Sequence, residues 1–258
     1  MPTAIVASRQ RGFAVPPMPH HAAEPQHTIV FDLDGTLIDT APDLIGALNT
    51  VLEREGIDRV PVEQARLFIG AGARKLIERA FAAKGRTLSA VDAERFYVDF
   101  VSTYDARIAE LSRPFPGLED ALDALAARGF RLAVCTNKLE RLSVKLLDAL
   151  GLSRRFAAIC GPDTFGVPKP DPRVLAATVA AAGGSLRSAL MVGDSDTDIA
   201  TARAADVPII AVDFGYTDTP VAALRPNRMI SHYDELLVAV TDMIKDAPRV
   251  ASQSRGAP

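Results

Sequence analysis

Five short apolar runs, separated by stretches of helical periodicity, limit this 258-residue chain to a narrow set of architectures. The runs are Thr28–Phe31, Phe130–Cys135, Phe156–Cys160, Ala189–Val192 and Pro208–Val212. Between them Leu118, Ala121, Leu122, Leu125 and Ala126 recur at helical spacing before Gly129, as do Leu139, Leu142, Leu146, Leu147 and Leu150 before Gly151. Each of these helices ends at a glycine suited to a left-handed cap. Strands alternating with helices predict an α/β fold, a Rossmann-like doubly wound parallel sheet covered on both faces. Ser231, with Asp234 three residues on, predicts a capping box for a last helix lined by Leu236, Leu237, Val240, Met243 and Ile244.

From about Ala41 to Arg113 the alternation stops. Leu44, Leu48, Val51 and Leu52, then Leu76, Ile77, Ala80 and Phe81, then Phe96, Phe100, Tyr104 and Ile108 all keep helical spacing. No strand-like run lies between them, so an all-helical insertion is expected. It follows directly after the first strand and its loop, which sets it above the carboxyl end of the sheet, where open α/β folds bind ligands. The expected division is a tail over 1–27, an α/β core over 28–41 and 114–246, a helical insertion over 42–113, and a second tail over 247–258. His20, His21 and His27 lie in or beside the first tail without Cys or carboxylate partners, which argues against a metal site there.

Composition narrows the partners. At 48% hydrophobic residues there is material for a packed core, and a formal charge of −3 provides no basic field for nucleic acid or an anionic membrane. An anionic ligand must therefore be held by local groups. The two cysteines, Cys135 and Cys160, are too few for a disulfide framework and read as buried thiols in a reducing compartment. No apolar run is long enough to span a bilayer, and Arg9 and Arg11 are followed by Pro16 and Pro17 rather than an apolar leader segment. A cytoplasmic protein, monomer or homodimer, is expected.

The first strand runs into Asp32-Leu33-Asp34-Gly35-Thr36. Two carboxylates leaving a buried strand cannot be explained by packing, because each must find a cation, a proton or a hydrogen bond. Other strand ends follow the same grammar. Thr136 and Asn137 offer a hydroxyl and an amide, suited either to a phosphate oxygen or to capping the next helix. Lys169 is bracketed by Pro168 and Pro170, which stiffen the backbone around it. Gly193-Asp194-Ser195-Asp196-Thr197-Asp198 carries three carboxylates at alternate positions. A calcium-binding EF-hand loop starting at Asp194 would need Gly where Ile199 stands and Glu where Ala205 stands, so that reading fails. A Mg²⁺ site on Asp32, Asp34 and Asp194, completed by waters and a substrate phosphate, remains.

In this order the four segments resemble the haloacid dehalogenase superfamily of aspartate-nucleophile phosphatases, and the insertion looks like that family's helical cap. The resemblance implies that Asp32 attacks phosphorus and forms an aspartyl-phosphate. It implies that Asp34 acts as acid and then base, and that Mg²⁺ is held by Asp32, the backbone carbonyl of Asp34, and Asp194. Lys169, Thr136, Asn137 and Thr36 would bind the phosphoryl group, with Asp198 behind Lys169 or a metal-bound water. A halide leaving group needs no acid, so Asp34 points away from dehalogenation. Carbon–phosphorus cleavage would need a Schiff-base lysine, and nothing around Lys75 or Lys84 marks either for that role.

For the substrate, Gly70-Ala71-Gly72-Ala73-Arg74-Lys75-Leu76-Ile77-Glu78-Arg79-Ala80 looks like a stretch found in phosphoglycolate phosphatases, as does Asp213-Phe214-Gly215-Tyr216-Thr217. Both could equally be turns. The first would let Gly72 present backbone N–H groups to a small carboxylate. A small phosphorylated metabolite is expected, 2-phosphoglycolate first. A phosphosugar or pyrophosphate phosphatase, a hexose-phosphate mutase and a phospho-accepting switch stand as alternatives. A mutase would carry a cap arginine where Ala73 stands.

Overall fold

β1 (Thr28–Phe31) lies in the middle of a six-stranded sheet, between β4 (Arg131–Cys135) and β6 (Ala189–Gly193). β5 (Ala158–Cys160) flanks β4, while β7 (Ile209–Val212) and β8 (Arg228–Ile230) extend the other side, giving the order β5-β4-β1-β6-β7-β8. Every neighbouring pair is parallel. The connections from β1 run outward in both directions, so the crevice that such a sheet offers to ligands opens at the carboxyl ends of its central strands. The structure is a computed structural model describing residues 26–217 and 219–246. Nearly all of both expected tails, with His20 and His21, falls outside those residues.

Alternation of side chains along each strand divides the core into two layers. Ile29, Phe31, Leu132, Val134, Leu190, Val192, Ile210 and Val212 face one layer. There they meet α5 (Leu118–Ala127), α6 (Glu140–Ala149) and α10 (Leu236–Asp246) through Leu122, Leu146 and Leu236. Val30, Ala133, Cys135, Met191, Ile209 and Ala211 face the other, under α8 (Pro172–Ala181) and α9 (Asp196–Ala204). The expected α/β architecture is the one observed. Gly129 and Gly151 have φ of +78° and +74°, the left-handed conformation that ends α5 and α6.

Between β1 and α5 the chain forms α1 (Ala41–Arg54), α2 (Val62–Arg66), α3 (Ala73–Ala83) and α4 (Ala90–Asp105). These pack around Leu48, Ile77, Phe81, Phe96 and Phe100, with the Phe81 and Phe96 rings 4.5 Å apart. The chain enters and leaves this stretch through an antiparallel ribbon of two two-residue strands, β2 (Ile38–Asp39) and β3 (Arg113–Pro114). α7 (Pro162–Phe165) is a single turn after β5.

Three sequence expectations need correction. β8 was not expected, because Arg228 and Met229 are exposed at the sheet edge and the run carries no buried pattern. The expected strand over Phe156–Cys160 shrinks to β5, Ala158–Cys160, since Ser153–Arg155 forms a 3₁₀ turn that delivers Phe156 to the core. The cap before α10 is His232 with Glu235, not Ser231 with Asp234: His232 Nδ1 accepts from the Asp234 N–H. Glu235 accepts from the N–H groups of Ser231 and His232, and the Ser231 hydroxyl donates to Asp213 instead.

Candidate active site

Asp32 is the first residue beyond β1, yet its N–H still donates to Val192 O at 2.9 Å, so the sheet holds its backbone rigidly. Asp194 is likewise the first residue beyond its strand, β6, with its N–H donating to Asp198 Oδ2 at 3.2 Å. Asp198 reaches the same place from α9, through a capping box in which Ser195 and Asp198 bond each other's backbone. One oxygen of each of Asp32, Asp194 and Asp198 lies within 4.8 Å of the others, and all three side chains are buried. Lys169 Nζ sits among them, 2.8 Å from Asp32 Oδ1 and 2.6 Å from Asp198 Oδ1.

Three buried carboxylates against one ammonium leave uncompensated negative charge. Burial pushes the Asp32 carboxyl up to about 7, with Lys169 pulling the other way. Burial also raises Asp194 well above the ordinary carboxylate range, and Asp198 and Asp32 push it further. Burial opposes the charge on Lys169, but Asp198 and Asp32 outweigh it and hold the ammonium above the usual lysine value. Asp198 Oδ2 is already occupied by the Ser195 hydroxyl and the N–H groups of Asp194 and Ser195. Asp32 Oδ1, by contrast, is buried and takes the Lys169 ammonium at 2.8 Å. A hard divalent cation such as Mg²⁺, which prefers carboxylate oxygens, fits this donor set.

The remaining candidates converge on the same place. Thr36 Oγ1 donates to Asp194 Oδ1 at 2.8 Å. Thr136 leaves β4 with its N–H on Cys160 O at 3.1 Å and lines the cavity beside Asp32. The Asn137 amide clamps Lys169 by its backbone, accepting from the Lys169 N–H at 2.9 Å and donating to its carbonyl at 3.2 Å. Gly72, with φ +86°, caps α3 facing Asn137, whose carbonyl would lie 3.4 Å from an added Cβ. Asp34 stands apart from the carboxylate cluster. It accepts from Thr40 Oγ1 at 2.7 Å, and Lys138 Nζ lies 2.9 Å from both of its oxygens.

Lys138 was not singled out in the sequence, nor was the position of Tyr216. The Tyr216 N–H donates to Asp194 Oδ2 at 2.7 Å, and its hydroxyl donates to Asp39 in the β2/β3 ribbon while accepting from the Ala41 N–H at 3.0 Å. The only signal for it was the Gly215-Tyr216 pair, and the glycine has a steric reason. A Cβ on Gly215 would fall 2.2 Å from Asp194 Cβ. Gly215→Ala must therefore displace Asp194, with an expected cost of about 1–3 kcal/mol. The Mg²⁺ concentration giving half-maximal activity should rise about tenfold, since each pKa-scale change of 1.4 kcal/mol in binding is tenfold; an unchanged Mg²⁺ titration would refute the role given to Asp194.

A cavity of about 450 Å³ opens against Asp32, Asp34, Thr136 and Lys138. Its other wall comes from α1, α3, α4 and the loop between α2 and α3, including Leu44, Ile69, Gly72, Leu76, Phe100 and Tyr104. The family model for haloacid dehalogenase-like hydrolases matches residues 29–212, from the first strand through β7. The chain belongs to this family. Among haloacid dehalogenase-like hydrolases, it is 50% identical over 216 residues to a phosphoglycolate phosphatase from Mesorhizobium japonicum, covering 84% of this chain and 95% of that one. A phosphoglycolate phosphatase from Caulobacter vibrioides is 47% identical, covering 86% and 93%. In solved structures, a predicted phosphoglycolate phosphatase from Haemophilus somnus superposes with a TM-score of 0.76 at 27% identity, covering 83% of this chain and 97% of that one. The expected enzyme class is thereby borne out. No helix among the described residues is long and apolar enough to cross a membrane.

Proposed function

We propose that this hydrolase is a Mg²⁺-dependent phosphatase working through Asp32, with 2-phosphoglycolate as its substrate and α1–α4 as the cap over the reacting groups. The observation that carries the reading is Asp32: a buried carboxylate paired with the Lys169 ammonium at 2.8 Å, on the wall of a cavity that Asp34 shares. The 47–50% identical relatives named phosphoglycolate phosphatase support the substrate.

Asp32 attacks phosphorus as a carboxylate, forming an acyl phosphate as the ester P–O bond breaks. Asp34 gives its proton to the leaving oxygen, so glycolate departs as the alcohol. Asp34, now ionised, takes a proton from water as that water attacks phosphorus, and Asp32 is regenerated with release of inorganic phosphate. Lys169 and Thr136 hold the oxygens of the moving phosphoryl group. Asp198 fixes the Lys169 ammonium at 2.6 Å, and Asn137 fixes its backbone. Mg²⁺, held by Asp32, Asp194 and the backbone carbonyl of Asp34, would offset the repulsion between the anionic nucleophile and the anionic substrate.

A panel of phosphate esters tests the substrate. kcat/KM for 2-phosphoglycolate should exceed that for glucose 1-phosphate, glucose 6-phosphate and pyrophosphate by at least about a hundredfold, the scale on which a site built for one polar group rejects ligands lacking it. Equal turnover of a phosphosugar would remove 2-phosphoglycolate from the assignment while leaving the phosphatase reading intact.

A further inference from the structure

The cavity holds a second buried cation that the reaction above does not use. Lys138 is 8% exposed, with its ammonium 2.9 Å from both oxygens of Asp34 and 4.5 Å from the centre of the Tyr104 ring. The Tyr104 hydroxyl is buried without a hydrogen-bond partner. An ammonium has three donors; one goes to Asp34 Oδ2 and one to the aromatic face, while Asp34 Oδ1 already accepts from the Thr40 hydroxyl, which leaves a third for a ligand. Other cations of the cavity are committed elsewhere. Arg74 donates to Glu94 at 2.6 Å and stacks over Tyr97, and Lys75 donates to Glu78 at 2.6 Å; both side chains are at least half exposed.

We infer that Lys138 receives the carboxylate of the substrate, making this enzyme selective for phosphate esters of 2-hydroxy acids. The inference rests on the proposed function and adds the residue that chooses the leaving group. An acid must come within about 3 Å of the oxygen it protonates. Lys138 is the same distance from that acid. In an ester of a 2-hydroxy acid, the carboxyl carbon is two bonds from the leaving oxygen, so a leaving oxygen held by Asp34 brings its own carboxylate to the Lys138 ammonium. One more methylene moves the carboxylate off that distance, and the other cations lining the cavity, Arg74 and Lys75, are already bound to Glu94 and Glu78. The Tyr104 phenol, which burial pushes up to about 12, stays protonated and adds a donor beside the ammonium.

The test compares 2-phosphoglycolate, 3-(phosphonooxy)propanoate and ethyl phosphate on wild type, Lys138→Met and Lys138→Arg, with melting curves for each protein. Wild type should favour 2-phosphoglycolate over 3-(phosphonooxy)propanoate at least about tenfold in kcat/KM. In Lys138→Met the 2-phosphoglycolate to ethyl phosphate ratio should fall about a hundredfold, mainly through KM, and Lys138→Arg should recover part of it. If Lys138 only positions Asp34, both esters will fall together and the ratio will hold, which overturns the assignment. Equal use of the two carboxylates by wild type overturns it as well, whether or not Lys138→Met folds. Inactivity toward every ester would instead strike the proposed function on which this inference stands.

Discussion

Asp32→Asn is expected to lose at least about ten-thousandfold in phosphate release, because the first bond to phosphorus can no longer form. The fold should survive the change. Burial raises the Asp32 carboxyl from 3.8 to about 7, so the folded chain keeps a proton that the unfolded chain gives up. That contribution is complete below 3.8 and lost as pH rises through about 7, where the metal-free fold must accommodate the ionised form. Asparagine is never ionised. In the absence of Mg²⁺ the variant should therefore melt no lower than wild type, and its advantage should grow as pH rises from about 4 to about 7 and level off above that. The Mg²⁺-induced rise in Tm should shrink, since a ligand that binds only the folded state stabilises in proportion to its occupancy. Residual turnover with a normal Mg²⁺ effect would remove Asp32 from both roles.

Lys169→Met is expected to produce the larger structural effect. Asp32 and Asp198 would lose the ammonium that pairs with both, and removing one partner of a buried pair costs about 3–5 kcal/mol. In a chain of this size that is a fall in Tm of roughly 10 °C in metal-free buffer. Mg²⁺ should restore part of the loss, because it supplies charge to the same carboxylates. Activity should fall by at least about a hundredfold even when Mg²⁺ saturates, as the variant has no donor for the phosphoryl oxygens at that position. Calorimetry with and without Mg²⁺ separates the two effects; a variant as stable as wild type without the ion would contradict the charge balance described for the cluster.

The parts of the molecule legible in the sequence are those where chemistry and periodicity coincide. Ile29, Val30 and Phe31 announce a buried strand, and the carboxylates that follow could not be packing residues. Lys169 stood out because prolines flank it, and Asp194 and Asp198 because they follow another buried run. Lys138 did not stand out, although it adjoins Thr136 and Asn137. A lone lysine after a strand is indistinguishable in one dimension from a solvated charge, and its partners Asp34 and Tyr104 are remote in the chain. Tyr216 was hidden for the same reason, its bonds reaching back to Asp39 and Ala41. β8 and the β2/β3 ribbon were missed because two or three residues, partly exposed, carry no period. Asn137 was legible as a polar group at a strand end, but not that its amide would be taken up by the backbone of Lys169.

The ribbon that joins Ile38 to Pro114 brings the two boundaries of the helical stretch onto adjacent rungs. Ends held that close can be bridged by polypeptide of very different length, since lengthening a loop raises its closure entropy only logarithmically. Recombination could exchange everything between those rungs and leave each hydrogen bond of the sheet below unbroken. The lineage can thus acquire new appetites without relearning its chemistry.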